Sequence, residues 1–216
     1  MRNVIRKKMN NILRSLARLS NGTLDEAEGI DAIFLDAVHI RAFVNALDAT
    51  GNTSFGESYL YRAFTVGATY SIVLKITKLY DRKTGRYEPN TLRKIWKELK
   101  LQDDEAAFIT SQFDIQNEQS IFQPLKTFRD KCVAHNEEKK ELSWDQVDKA
   151  LLLLARVWHI VGQHSKFVIL QPFAEFESVS QQLSSLFTNN ELSKAEDAWN
   201  DYISKIRVAL NETASL

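Results

Sequence analysis

Turn-forming residues are scarce in this chain, and their scarcity limits the folds that it can adopt. Only 7 glycines and 3 prolines occur among 216 residues, too few for the many tight turns of a β-sandwich or β-barrel. Apolar residues instead recur at spacings of three and four, the period of a helix with one buried face. The sequence therefore predicts an all-α fold, with helices over residues 5–19, 23–49, 57–80, 91–99, 103–135, 143–161, 173–186 and 192–210.

The chain is predicted to form one domain, residues 1–216. Hydrophobic residues make up 44% of it and aromatic residues 10%, which is enough to bury a core. The longest apolar run, residues 150–162, is too short to cross a bilayer. A single cysteine, Cys132, excludes an internal disulfide, and no hydrophobic signal segment begins the sequence. We therefore expect a cytoplasmic protein that does not contact a membrane.

The net charge of zero conceals a basic amino-terminal end. Residues 1–24 contain six basic residues and no acid, which leaves 22 basic and 28 acidic residues in the remainder. Such an end could face nucleic acid or act as an amphipathic targeting peptide. Its apolar residues fall at helical spacing, so a packed surface helix with a solvated basic face is the favoured interpretation.

Two features of the middle of the chain affect where a site could lie. The helix over residues 57–80 is apolar almost all round, which predicts a central position. The next stretch, residues 81–89, is predicted to be a loop that carries Arg82, Lys83 and Arg86; a solvated loop is favoured over a substrate contact. Pro124 interrupts the pattern of residues 103–135, so that element is either kinked or divided into two helices.

An arginine, a carboxylate and a histidine close the helical pattern that ends at His135. At 100° per residue, Arg129 projects from inside an apolar stripe and His135 lies roughly 120° further round, so both could flank one cleft. A guanidinium keeps its charge, and inside a stripe it needs an opposing carboxylate or a groove where an anion binds. The stripe consists of Leu125, Phe128, Cys132 and Val133.

Other common kinds of site find no support in the sequence. His159 and His164 are five residues apart and point to different helix faces, unlike the pair four apart that a zinc-binding helix uses. No glycine-rich phosphate loop, nucleophile elbow or dinucleotide-binding fingerprint is present. Cys132 faces the apolar stripe and is interpreted as a small buried hydrophobic residue.

The run Arg129-Asp130-Lys131-Cys132-Val133-Ala134-His135 resembles the Arg, polar residue, short spacer, His motif of the HEPN superfamily. Its form at the end of a long helix is most similar to the abortive-infection branch of that superfamily. Two other stretches, Leu79-Tyr80-Asp81 and Leu92-Arg93-Lys94-Ile95, are also similar to that branch. The resemblance covers about residues 25–165 and implies a HEPN-like core with an extra amino-terminal helix and a helical extension over about residues 172–212.

The resemblance implies an antiparallel helical bundle that dimerises, so that two motifs face each other across a shared cleft. It also implies a metal-independent endoribonuclease of toxin or phage-defence type, with Arg129, Asp130 and His135 as catalytic residues and no cofactor. Histidine can move the proton of a ribose 2′-OH, arginine offers a planar fork to phosphate, and the aspartate could orient either. Expected partners are RNA, a second copy of the chain, and an antitoxin or regulatory protein. Candidate RNA contacts are Lys131, Arg82, Lys83 and Arg86.

Two alternatives stay open. The first is a non-catalytic HEPN-like dimer that binds nucleotide, RNA or a protein partner. The second is structural: Arg129 pairs with a buried acid while His135 caps carbonyls at the helix end. The chain also departs from a subset of the superfamily in which a tyrosine shortly follows the histidine, because Asn136, Glu137 and Glu138 stand there and the two acids would repel RNA.

Overall fold

The computed structural model describes residues 29–51, 56–80, 91–134, 141–164, 173–180 and 187–211. The all-α prediction is confirmed for these residues, which contain helices and turns and no strand. The helices are α1 (Ile30–Ala49), α2 (Tyr59–Tyr80), α3 (Leu92–Leu99), α4 (Asp104–Gln112), α5 (Gln123–Phe128), a π-helix (Arg129–Ala134), α6 (Trp144–His164), α7 (Phe176–Ser180) and α8 (Asn189–Asn211). No helix in this part of the chain is long and apolar enough to cross a membrane.

The core lies where α1, α2, α6 and α8 meet. Helix α1 packs against both α2 and α8, and α6 packs against α8. Large apolar side chains fill the space between them; the ring of Phe34 on α1 stacks on that of Trp158 on α6, with centroids 5.9 Å apart. Trp199 on α8 is 1% exposed, so the last helix contributes to the same core as the first.

Capping side chains fix several helix starts at the predicted positions. Thr91 accepts a hydrogen bond from the amide of Lys94 at 3.1 Å, and Asp103 accepts one from Ala106 at 2.7 Å. The sequence Ser143-Trp144-Asp145-Gln146 has the spacing that predicts a capping box. The box forms, because the amides of Ser143 and Gln146 each donate to the other residue's side-chain oxygen, at 3.0 and 3.3 Å. The start of α6 is thereby fixed on one side of the candidate motif.

The pattern over residues 103–135 divides into two α-helices and a π-helix, and the two-helix alternative is confirmed. Helix α4 ends at Gln112, and α5 begins at Gln123 with Pro124 in its first turn, where a missing amide hydrogen costs no hydrogen bond. The connection is tied internally, since the Gln112 side chain accepts a hydrogen bond from the amide of Ile121 at 2.8 Å. Both α5 and the π-helix then pack against α2.

The prediction that the apolar helix over residues 57–80 sits centrally is wrong for one of its faces. Helix α2 buries Ile72, Ile76 and Leu79, but another set of large apolar residues is from 38% to 82% exposed. Apolar residues all round a helix predict that both faces are buried, but the described residues cover only one of them. The exposed set is Tyr59, Leu60, Val66, Tyr70 and Leu74.

Several predicted segments lie outside the described residues. They are the amino-terminal helix, the first residues of the helix predicted over residues 23–49, the basic loop over residues 81–89, and the last part of the helix predicted over residues 173–186.

Candidate functional site

The first six of the seven residues of the Arg–His motif form the π-helix that continues from α5. In a π-helix each amide bonds to the carbonyl five residues back, so one turn holds an extra residue, and such turns occur frequently at functional sites. The 120° separation predicted between Arg129 and His135 assumes α-helical geometry, which residues 129–134 do not adopt. The described residues end at Ala134, so His135 itself lies outside them.

Arg129 and Asp130 are joined by direct contacts. The guanidinium Nε of Arg129 donates to Oδ1 of Asp130 at 2.7 Å, and Nη2 lies 2.7 Å from the same oxygen. The side chain of Arg129 is 22% exposed, so the guanidinium is neither sealed in the core nor extended into solvent. The opposing carboxylate predicted for this arginine is thus its own neighbour in sequence.

Lys126 holds the other oxygen of the same carboxylate. Its Nζ donates to Oδ2 of Asp130 at 2.8 Å across four residues. We call Lys126, Arg129 and Asp130 the site cluster. Lys126 was not among the residues predicted from the sequence, although the spacing of four from Asp130 is the standard signal for such a pair.

The site cluster keeps Asp130 ionised. Partial burial by itself raises the pKa of this carboxyl, but the hydrogen bonds from Lys126 and Arg129 and their positive charges outweigh burial, and the pKa is lowered. An ionised carboxylate at neutral pH cannot donate a proton, and its low basicity makes it a poor general base. The arrangement suits Asp130 to orienting the guanidinium of Arg129.

The surroundings of the cluster favour an anion. Residues 126–131 include three cations and one acid, so this short segment has an excess of positive charge. Lys131 and Cys132 are both partly exposed, and the interpretation of Cys132 as a fully buried residue is therefore wrong. The wider turn of the π-helix replaces the α-helical stripe that would have buried it.

An aromatic pair connects the cluster to helix α2. The rings of Tyr70 on α2 and Phe128 at the end of α5 lie 6.0 Å apart at an angle of 59°. Tyr70 is 38% exposed, so the pair is the border between the site cluster and the exposed face of α2. Nothing in the sequence indicates this role, because Tyr70 occupies an ordinary position on an apolar helix.

The remaining predicted RNA contacts cannot be placed beside the cluster, because Arg82, Lys83 and Arg86 lie outside the described residues. Within the described part of the chain, no group of three or more histidine, cysteine, aspartate or glutamate residues could hold a metal ion.

A recess of about 360 Å³ lies between α3 and α4. Arg93 and Lys97, one helical turn apart, contribute its cations, Asp114 contributes a carboxylate, and Trp96 and Phe113 contribute its apolar wall. The indole Nε1 of Trp96 donates to the hydroxyl of Thr110 at 3.1 Å, which fixes that wall. Arg93 belongs to one of the stretches that carry the resemblance.

Comparison of the chain with models of known protein families, with curated proteins and with solved structures finds no match.

Proposed function

We propose that this chain is a metal-independent endoribonuclease of the toxin or phage-defence type, with a HEPN-like antiparallel bundle that acts as a homodimer. One observation carries the proposal: Arg129 is held by Asp130 on a π-helix at the motif, partly exposed and within a basic segment. Here the guanidinium is oriented by its neighbour and remains close to solvent.

In the proposed reaction the RNA supplies its own nucleophile. His135 takes the proton of a ribose 2′-OH, the 2′-oxygen attacks the adjacent phosphorus, and the bond to the 5′-oxygen breaks. The products are a 2′,3′-cyclic phosphate and a 5′-hydroxyl, whose oxygen receives the proton that His135 took from the 2′-OH. Arg129 binds the phosphate oxygens and stabilises the charge that grows on them, and Asp130 keeps the guanidinium in position. Lys131 contributes to binding the RNA backbone.

The test is cleavage of structured RNAs by the purified protein in the presence of EDTA. We expect His135→Ala and Arg129→Ala to fold and to lower the cleavage rate by ~10²-fold or more, the usual size of a general acid–base contribution. His159→Ala is the matched control, because His159 is a partly exposed histidine on α6 that has no role in the proposal. Cleavage by both site variants at the rate of the parent protein contradicts the proposal.

A substrate with a single 2′-deoxy substitution at the cut site separates chemistry from binding. It should bind, because the phosphate contacts remain, and it should resist cleavage, because the nucleophile is gone. Cleavage of this substrate, or a requirement for added Mg²⁺, would rule out the mechanism assigned to His135. An antitoxin or regulatory protein is expected to act by covering the site cluster.

The alternative, a non-catalytic module that binds nucleotide, is favoured by the recess between α3 and α4. Arg93 and Lys97 suit a phosphate group, although the carboxylate of Asp114 also lines the recess, and the wall formed by Trp96 and Phe113 suits an apolar ring. Calorimetry with nucleotides tests this alternative. It is supported if the parent protein binds a nucleotide, Lys97→Glu abolishes that binding, and no RNA substrate is cleaved.

A further inference from the structure

The exposed face of α2 contains a stripe whose residues are arranged symmetrically along the helix. The α2 stripe consists of Tyr59, Ala63, Val66, Gly67, Tyr70 and Leu74, all exposed. At 100° per residue these six side chains fall within a sector of about 100°. Counted outward from the point between Val66 and Gly67, the members lie at equal distances on either side: Tyr59 matches Leu74, and Ala63 matches Tyr70.

From this symmetry we infer that the α2 stripe is the surface on which two copies of the chain pair, with their α2 helices antiparallel about a two-fold axis between Val66 and Gly67. A two-fold axis at this point brings each residue opposite its match on the other copy. In every layer the sizes are then compatible. Tyr70 meets Ala63, Val66 meets Gly67, and Tyr59 lies beside Leu74, so the residues nearest the axis pair a large side chain with a small one.

Gly67 supports a close approach of the two helices. A Cβ built on this glycine meets nothing within 4 Å among the described residues, so no neighbour in the described chain requires the small residue. Glycine inside a helix is less favourable than alanine at the same position. A second helix packed over this point would explain the glycine, because Gly67 leaves room for Val66 of the other copy.

Charge also distinguishes the antiparallel arrangement from a parallel one. Glu57, just before α2, and Lys78, near its end, are both exposed. An antiparallel pair places Glu57 of one copy within about 3 Å, along the axis, of the level of Lys78 of the other. A parallel pair would place like charges at each end.

The inference rests on the proposed function, because that function needs a site completed by two chains. Tyr70 links the α2 stripe to the site cluster. It belongs to the α2 stripe, and its ring also contacts Phe128 beside Arg129. Tyr70 lies about 5 Å along the helix from the two-fold axis, so pairing through α2 brings the two site clusters to the same interface.

Cysteine cross-linking tests the register. In a Cys132→Ala background, Tyr59→Cys and Leu74→Cys chains are oxidised separately and as a mixture. A disulfide needs Cα atoms within about 7 Å, and matching residues of antiparallel copies approach closely, whereas identical ones lie about 22 Å apart along the axis. We expect a linked dimer only in the mixture. Cross-links within each variant alone indicate parallel pairing and overturn the inference, as does no cross-link in any sample.

A charge placed in the stripe tests the dimer itself. Val66 is 52% exposed, and Val208 on α8 is 47% exposed, so Val66→Arg and Val208→Arg are a matched pair. Light scattering should show a dimer for the parent and for Val208→Arg and a monomer for Val66→Arg, with unchanged helical circular dichroism. A monomeric parent overturns the inference and points to the amino-terminal residues 1–28 as the cover of the stripe. A dimeric Val66→Arg overturns it too.

The outcome for RNA is separate. A cross-linked dimer that cleaves no RNA contradicts the proposed ribonuclease and leaves the α2 pairing supported. Full cleavage by monomeric Val66→Arg leaves the ribonuclease standing and overturns the requirement for two chains at the site.

Discussion

Two arginine–aspartate pairs in this molecule use the same chemistry in opposite ways. Arg41 on α1 donates from Nε and Nη2 to the two oxygens of Asp148 on α6, at 2.8 and 2.9 Å, across 107 residues of sequence. Arg129 instead pairs with the residue next to it. The first pair connects distant helices. The second pair lies within the π-helix and orients a guanidinium.

The surroundings of the two pairs strengthen the contrast. The guanidinium of Arg41 lies over the rings of Trp144 and Tyr202, and the Tyr202 hydroxyl donates to Asp148 at 2.9 Å. We call these four residues the seam cluster, because they join α1, α6 and α8. Arg41 is 6% exposed, while the site cluster is partly open. The seam cluster is buried around Arg41 and its contacts are satisfied, whereas the site cluster is partly exposed, as the proposed function requires.

The largest effect that we expect comes from removing the charge in the seam cluster. Asp148→Asn leaves Arg41 buried without a counter-charge, and the free energy of unfolding should fall by about 3 kcal/mol, the usual cost of breaking a buried pair. Denaturant titration measures it. Asp145→Asn on the same helix is the control, because its pair with Lys149 is exposed and should change stability by less than ~1 kcal/mol. Equal effects would show that the seam cluster is not a structural tie.

The same substitution in the site cluster should act on activity instead of stability. Asp130→Asn removes the charge that holds Arg129, and RNA cleavage should fall about tenfold, as when a residue that orients a ligating group is lost. Because the pair is partly solvated, the free energy of unfolding should change by less than ~1 kcal/mol. A loss of stability as large as that of Asp148→Asn would remove the distinction between the two clusters.

Local patterns in the sequence predicted the helices, the capping box at Ser143 and the break before Pro124, because these features depend on residues within one or two turns. The seam cluster was not predictable in the same way. By spacing alone Arg41 falls on an apolar face, and its partner is 107 residues away. Only the fold brings them together.

Two other features could not be predicted, for different reasons. The exposure of the α2 stripe was missed because an apolar pattern does not tell whether the cover belongs to the same chain. The π-helix was missed because the spacing of Leu125, Phe128 and Cys132 fits an ordinary helix, and the extra residue in its turn leaves no local signal. The detailed geometry of the candidate site was therefore the part of the structure that the sequence predicted least well.

The smallest effect that we expect is a change in the free energy of unfolding with pH, to which His39 contributes and the site cluster does not. Near the seam cluster, Nε2 of His39 accepts a hydrogen bond from the amide of Ala174 at 3.1 Å, and the imidazole stacks on Trp199. Burial lowers the pKa of His39 from its ordinary value of 6.5, and the nearby carboxylate of Asp36 only partly offsets this. The folded chain thus holds a neutral histidine, and a proton on Nε2 would abolish the hydrogen bond.

The sign of the effect follows from proton uptake. Below pH 6.5 the unfolded chain binds a proton at His39 that the folded chain resists, so the free energy of unfolding falls as the pH falls through this value. The carboxyl of Asp130, whose pKa is lowered from 3.8, loses its contribution to stability only below that pH.

Unfolding titrations between pH 8 and pH 5 should therefore show a loss of stability in the parent and a smaller loss in His39→Gln, which retains an acceptor but does not titrate. Asp130→Asn should follow the parent over this range. Equal slopes for the parent and His39→Gln would show that His39 does not set the pH dependence of the seam.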